Sequence, residues 1–439
     1  MDQATLMAQD LNQQAATLIK AGNFEAAKEK IEKAIDIEPM LMDSYKNYGD
    51  LCMTTGAYKE AKSNYKRALL IEKSGYVYFL CGNACFMDDD PHEGLEYYNL
   101  ALSAGYDNED MLLFMGMAYE HLNNDQMALR YFQKAYTKNP SRSDIKIKKI
   151  SVLVRLNLLE DAEVAVDDLV LNDPELFDGY HMKNTLLINQ KRWEEAEEFA
   201  KKAIDRFPED PDLYYDYVQI IALKGELDKA ASLLENAKRL KYYEEAKSRF
   251  IQIEAQIVAE KNDLDKAIAL CKECIALEKE DEFNGEVRFL MVNLCMVKKD
   301  FQTAFDVATE IVETKVQNSY YFAALYYRAF CLKNMGRKEE ADAVYQEAVS
   351  LFRLATLKSP EAFDAYLYRA MCLKDMEQYD EALELLEFME GIGADVAEIY
   401  TIRADIYKQT GKDALRREEL EKAYKIKPEL RAIFAESGE

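Results

Sequence analysis

An all-α repeat fold is predicted for this chain of 439 residues by three observations. A pattern of large and small side chains returns about every 34 residues. Two segments of each return carry apolar residues at helical spacing. Gly (16) and Pro (8) are too few for a loop-rich or collagen-like chain. Residues 22–39, GNFEAAKEKIEKAIDIEP, and 56–73, GAYKEAKSNYKRALLIEK, show the pattern directly: without a gap, Gly22 aligns with Gly56, Phe24 with Tyr58, Ala27 with Ala61, Ile31 with Tyr65 and Ala34 with Ala68. A unit that short cannot bury an apolar face alone, so the repeats share one continuous core, and the usual division of a long chain into globular domains does not apply.

The pattern recurs twelve times as helix A, a short turn and helix B, with starts near 8, 42, 75, 109, 143, 177, 211, 248, 285, 322, 363 and 397. Steps of 33 or 34 residues hold up to 211; three of 37 and one of 41 follow, and the last is again 34. The expected organisation is therefore a regular array over 1–247 and an array of longer repeats over 248–439 that ends in a short C-terminal cap. The extra residues lie around KYYEEA (241–246), KEDEFN (279–284) and VQNSYY (316–321), and the helix that ends near Pro360 is expected to be long.

Counting places from each start, small residues recur at place eight (Gly49, Gly82, Gly116, Ala329), place twenty (Ala61, Ala128, Ala196, Ala304) and place twenty-seven (Ala34, Ala68, Ala135, Ala203). There they let helix backbones approach closely, while Tyr65, Phe132 and Tyr345 fill the remaining space. Pro39, Pro140, Pro174, Pro208 and Pro428 stand at place thirty-two, where a missing N–H and a fixed φ end helix B.

Together with an aromatic residue near place seventeen (Phe24, Tyr58, Trp193, Phe301, Tyr379), these features resemble the tetratricopeptide repeat family over roughly residues 8–430. The resemblance implies antiparallel helix pairs stacked into a right-handed α-solenoid superhelix, with helix A lining a concave groove. Among the departures from it, Lys146 and Arg288 replace the Tyr usual here at place four, and Arg416 stands at place twenty of the last repeat.

Eighty-one acidic against 56 basic residues leave a formal charge of -25, which repels nucleic acid and anionic lipid. The first residues lack a basic and an apolar signal region, and no stretch approaches ~18 uninterrupted apolar residues, so neither secretion nor membrane insertion is expected. Eight cysteines in such a chain read as reduced thiols in the cytoplasm. Cys271 and Cys274 form a single close pair at places twenty-four and twenty-seven, and Cys52, Cys85 and Cys295 share place eleven, all facing the core; a structural zinc would need a second pair nearby. His92, His121 and His181 lie one to a repeat, and no phosphate-loop, dinucleotide or nucleophile-elbow motif occurs. The expectation is a protein with no enzyme activity, no cofactor and no metal.

Function is then expected on helix A, at places two, five, nine, twelve and thirteen by analogy with the family. In the third and fourth repeats these places supply Tyr76, Phe79, Asn83, Phe86, Met87, Leu113, Met117 and His121, an apolar set suited to docking a peptide. Phe289, Asn293 and Met296 form a smaller counterpart, and Tyr326 with Phe330 another. The Lys-and-Asn clamp with which some family members hold a terminal carboxylate is not matched, since Lys46 precedes Asp50, and Asn83 and Asn293 follow phenylalanines. Arg142, Lys146, Lys148 and Lys149 form a basic island suited to an acidic segment, with a solvated helix face as the plainer reading. The expected function is a non-catalytic scaffold that binds a protein or peptide segment in its groove. The alternatives are self-association through the same patches and a peptide-sensing regulator without its own DNA-binding domain.

Overall fold

A computed structural model of the chain describes residues 3–278, 283–360, 362–393 and 396–436. Among them, 25 α-helices and one short 3-10 helix, Tyr243–Glu245, make up the regular structure, with no strand. Nine of the twelve A helices begin at the residue the repeat count specifies, from Met42 and Gly75 to Phe363 and Ala397. Helix Lys247–Glu260 begins one residue early, Gln3–Lys20 five and Ser319–Asn334 three. The last case absorbs half of the VQNSYY insertion as an extra turn of helix. The KYYEEA insertion holds the 3-10 helix, and residues 279–282 of KEDEFN lie outside the described residues. Helix Lys338–Lys358 is the expected long one, and the short helix Leu430–Glu436 sets Leu430 against the cluster of Ala397, Tyr400 and Ala423.

The chain divides into two compact units, Met1–Pro208 and Glu209–Glu439, each holding six helix pairs. In both, helix A packs on its own helix B, and helix B on the next helix A. The division falls just ahead of the repeat that starts at 211, the first of the longer ones.

Each pair is closed by the same turn. Place fifteen adopts a left-handed conformation in every repeat: Gly22, Gly56, Gly225, Gly336 and Gly411, but also Asp89, Asn123, Asn157, Lys191, Asn262, Lys299 and Glu377. The next N–H then reaches back to the carbonyl at place eleven, as in Ala57 to Cys52 (2.8 Å) and Lys412 to Tyr407 (2.8 Å), which satisfies the end of helix A. In five repeats that same residue, Asn23, Asp90, Asn124, Asp263 or Asp300, caps helix B by accepting from the N–H three residues on. One residue thus stops one helix and starts another.

Inside each pair, place eight faces place twenty-four and the two trade volume. A Cβ on Gly49, Gly82 or Gly116 would overlap the rings of Tyr65, Tyr98 and Phe132 respectively. Where place eight is larger, its partner shrinks: Ile150 shares a core cluster with Val166, and Val292 with Ala308. This reciprocity explains the repeats that lack a small residue at place eight. The cysteines follow the same logic; all eight are buried. Burial pushes the Cys271 thiol up to about 12 and Cys274 to about 11, which suppresses the reactive thiolate.

The two basic departures at place four are built in with partners. Lys146 is buried beside Asp168 (3.2 Å) and Asp173 (3.3 Å). Arg288 is buried between Glu278 (2.5 Å) and Glu310 (2.9 Å), its guanidinium over the Phe283 ring. A cation taken from water in this way needs its carboxylates, and removing one partner leaves an uncompensated charge.

Candidate functional site

The aromatic residues of the third and fourth repeats converge on helices Gly75–Met87 and Glu109–His121. Helical spacing puts Tyr76, Phe79, Asn83 and Phe86 on one side of the first helix, and Leu113, Met117 and His121 on the matching side of the second. Tyr106, in the turn between the two pairs, lies over them with ring centroids 5.6 Å from Tyr76 and 5.5 Å from Phe79. Phe114 meets Phe79 (5.9 Å) and Phe86 (6.2 Å) edge to face, and His121 meets Phe86 at 6.1 Å. Edge-to-face pairs of this kind add about 0.5–1.5 kcal/mol beyond burial, so the platform is stiff before anything binds.

The expected set does not stay together on the surface. Phe79 is 7% exposed and Leu113 8%, so both belong to the core between pairs and are corrected here from docking residues to supports. The cause is Tyr106: it stands at place thirty-two, where other repeats carry Pro, and its ring roofs Phe79. Tyr76 (43% exposed) and Met87 (45%) remain open, with Phe86, Met117 and Asn83 half-buried beside them. Tyr106 and Phe114 are the platform residues that repeat counting missed, and an aromatic at place thirty-two was the available signal for the first.

Polar groups frame the patch. The Tyr98 hydroxyl donates to Asn83 Oδ1 at 2.9 Å, which leaves the Asn83 amide nitrogen without a partner among the described residues. His121 Nε2 lies 3.2 Å from Asp89 Oδ1. The face is therefore apolar, with one amide donor and one imidazole at its edge.

In the counterpart patches, Phe289 is half-buried against Tyr320 (5.7 Å) and Tyr327 (6.1 Å), and Asn293 and Met296 are half-buried too. Tyr326 is a correction: it is 3% exposed, and its hydroxyl donates to Asp375 Oδ2 at 2.9 Å, so it is core. Phe330 packs on it at 5.7 Å and keeps one half-open side.

The basic island is dispersed. Arg142 pairs with Asp110 and Asp144, and Lys148 with Glu120 (3.0 Å). Lys146 is held as described above. Their partners lie on neighbouring helices or turns, so three of the four cations are neutralised within the chain. Lys149 alone has no ion pair among the described residues and sits 4.8 Å from the Tyr136 ring centroid. Lys148 leaves its helix roughly opposite to Lys146, so the four never formed one face. Among the described residues no group of three or more metal-ligating side chains converges, and no helix is long and apolar enough to cross a membrane.

Sequence profiles described as tetratricopeptide repeat match residues 43–74, 109–142, 187–241, 323–354 and 397–430. No curated protein matches the chain. Solved structures similar to it include yeast Tom70 (17% identity, 97% of this chain and 96% of that chain, TM-score 0.48). The Cut9–Hcn1 hetero-tetramer of the APC/C matches at 14% identity over 96% of this chain and 94% of that chain, with a TM-score of 0.44. YrrB, titled a TPR protein with an unusual peptide-binding site, matches at 23% identity over 42% of this chain and 95% of that chain, with a TM-score of 0.37.

Proposed function

We propose that this array of tetratricopeptide repeats is a scaffold for contacts between proteins and docks a peptide segment of a partner on the face formed by Tyr76, Phe86, Met87 and Met117. One observation supports this reading: Tyr76 and Met87 stand open to solvent beside half-buried Phe86 and Met117, on a platform whose rings already hold one another. Preorganisation of that kind lowers the ordering cost of binding. A partner's apolar side chain would lie against Phe86 and Met117, and the free amide of Asn83 would donate to a backbone carbonyl of the segment. Phe330 and Phe289 offer a second, smaller contact. The role is non-catalytic, and a reducing compartment such as the cytoplasm suits eight buried free thiols.

Selection of phage-displayed random peptides on the purified chain tests the assignment. Selected peptides should lose at least about tenfold in affinity, ~1.4 kcal/mol, against the Phe86→Ala, Met117→Ala double variant with little change in its thermal melt. Equal binding by wild type and variant would remove this face from consideration. Self-association through the patch is the rival, and a dimer in light scattering that the double variant dissolves would establish it.

A further inference from the structure

A second cleft opens in the same unit, between the B helices of the fourth and fifth repeats, Asp125–Lys138 and Leu159–Asn172, with Ser143–Arg155 as its floor. Its volume is about 630 Å³. Leu129, Tyr136, Leu153 and Val164 give it apolar walls, Arg130, Lys146 and Lys149 line it as cations, and Asp161 and Asp168 line it as anions. Val164, on the wall of the cleft, is 72% exposed.

The charges are uneven. From 142 to 155 the chain carries five basic side chains, and Arg142, Lys146, Lys148 and Arg155 each have a carboxylate within ion-pair distance. Among the described residues Lys149 has none, and neither has Arg130 across the cleft. Burial pulls the Lys149 ammonium below its ordinary range, and the more distant carboxylates of Asp161 and Asp168 only partly offset this. Asp168 is already committed to Lys146. An ammonium desolvated without a close counter-ion is less stable than a paired one, and an incoming carboxylate supplies what is missing.

We propose that this cleft is a second docking site, taking a short partner segment in which a carboxylate side chain stands next to an aliphatic or aromatic one. The carboxylate is received by Lys149 and Arg130, and the apolar neighbour lies between Leu129, Leu153 and Val164. The site opens between B helices and is independent of the face around Phe86, so either can fail without the other.

The probe is a fluorescein-labelled peptide of about ten residues that alternates Glu with Leu and Phe, beside a twin in which every Glu is Gln, followed by fluorescence anisotropy on the full chain. The Glu peptide should bind saturably and weaken as salt rises, and its twin should bind at least about tenfold more weakly. Lys149→Met and Arg130→Gln should each weaken the Glu peptide about tenfold, and Phe86→Ala should leave it unchanged. Should Lys149→Met impair folding, Val164→Glu serves instead, because that side chain is exposed and the added charge repels the probe. Absence of saturable binding, equal binding of the twin, or loss of binding on Phe86→Ala would each overturn the proposal. So would a dimer of the chain, seen in sedimentation, that Val164→Glu dissolves, since the occupant would then be a second copy.

Discussion

The aromatic faces of the two units both bury the ring at place five and differ in what closes over it and in how open its surroundings stay. In the first unit, place five of the third repeat is Phe79, roofed by Tyr106; around it places two and thirteen stay open and place twelve is half-buried. In the second, place five of the tenth repeat is Tyr326, which the eleventh repeat closes from the side with Tyr368 (6.0 Å) and with Asp375, acceptor for both Tyr326 (2.9 Å) and Tyr345 (3.0 Å). A place number says which way a side chain leaves its helix, and the next repeat decides whether it meets solvent or a neighbour. Docking residues are therefore a property of pairs of repeats.

The largest test of this contrast is truncation on each side. Tyr326→Ala should destabilise the second unit by about 3–5 kcal/mol, as expected for a buried aromatic, whereas Phe86→Ala should cost the first about 1 kcal/mol. Urea denaturation reads both, and equal costs would erase the distinction between a core ring and a docking ring. A finer test removes the acceptors. Asp375→Ala leaves two core hydroxyls without a partner and should cost about 1–3 kcal/mol, while Asn83→Ala frees only the buried Tyr98 hydroxyl and, by removing a half-buried side chain, opens it to water, so it should cost about 1 kcal/mol or less. The same denaturation series checks it, and a costlier Asn83→Ala would show that the first platform is the more rigid one. The smallest effect serves as the baseline. Glu377 holds a left-handed turn outside either face, so Glu377→Gly should relieve strain and stabilise by about 0.5–1 kcal/mol, visible as a thermal midpoint raised by about 2 °C, without changing peptide binding.

Much of this was legible in the sequence. The A helices begin where the repeat count puts them because small and large residues must alternate for two helices to approach, and that requirement leaves a fixed spacing. The cysteines fell in the core for the same reason. The fate of Phe79 and Tyr326 was not legible, since it rests on Tyr106 and Asp375, which belong to a loop and to another repeat. The basic island misled because Arg142, Lys146 and Lys148 are adjacent in sequence, while Asp110, Glu120, Asp168 and Asp173, which neutralise them, are scattered over neighbouring helices and turns. Lys191, Lys299 and Glu377 adopt the left-handed turn with no compositional sign, because hydrogen bonds and packing on both sides of the turn impose it.

The reciprocal volumes at places eight and twenty-four bear on how such an array can be rearranged. The notch at Gly82 and the ring of Tyr98 lie in one hairpin, so a whole hairpin moved to another position takes its fitted pair along. A crossover between the two helices would instead set Gly82 against a residue such as Val166, leaving a hole, and Ile150 against Tyr98, forcing a collision. Duplication and exchange of this chain are therefore tolerated at the joints between hairpins and penalised at the turns inside them.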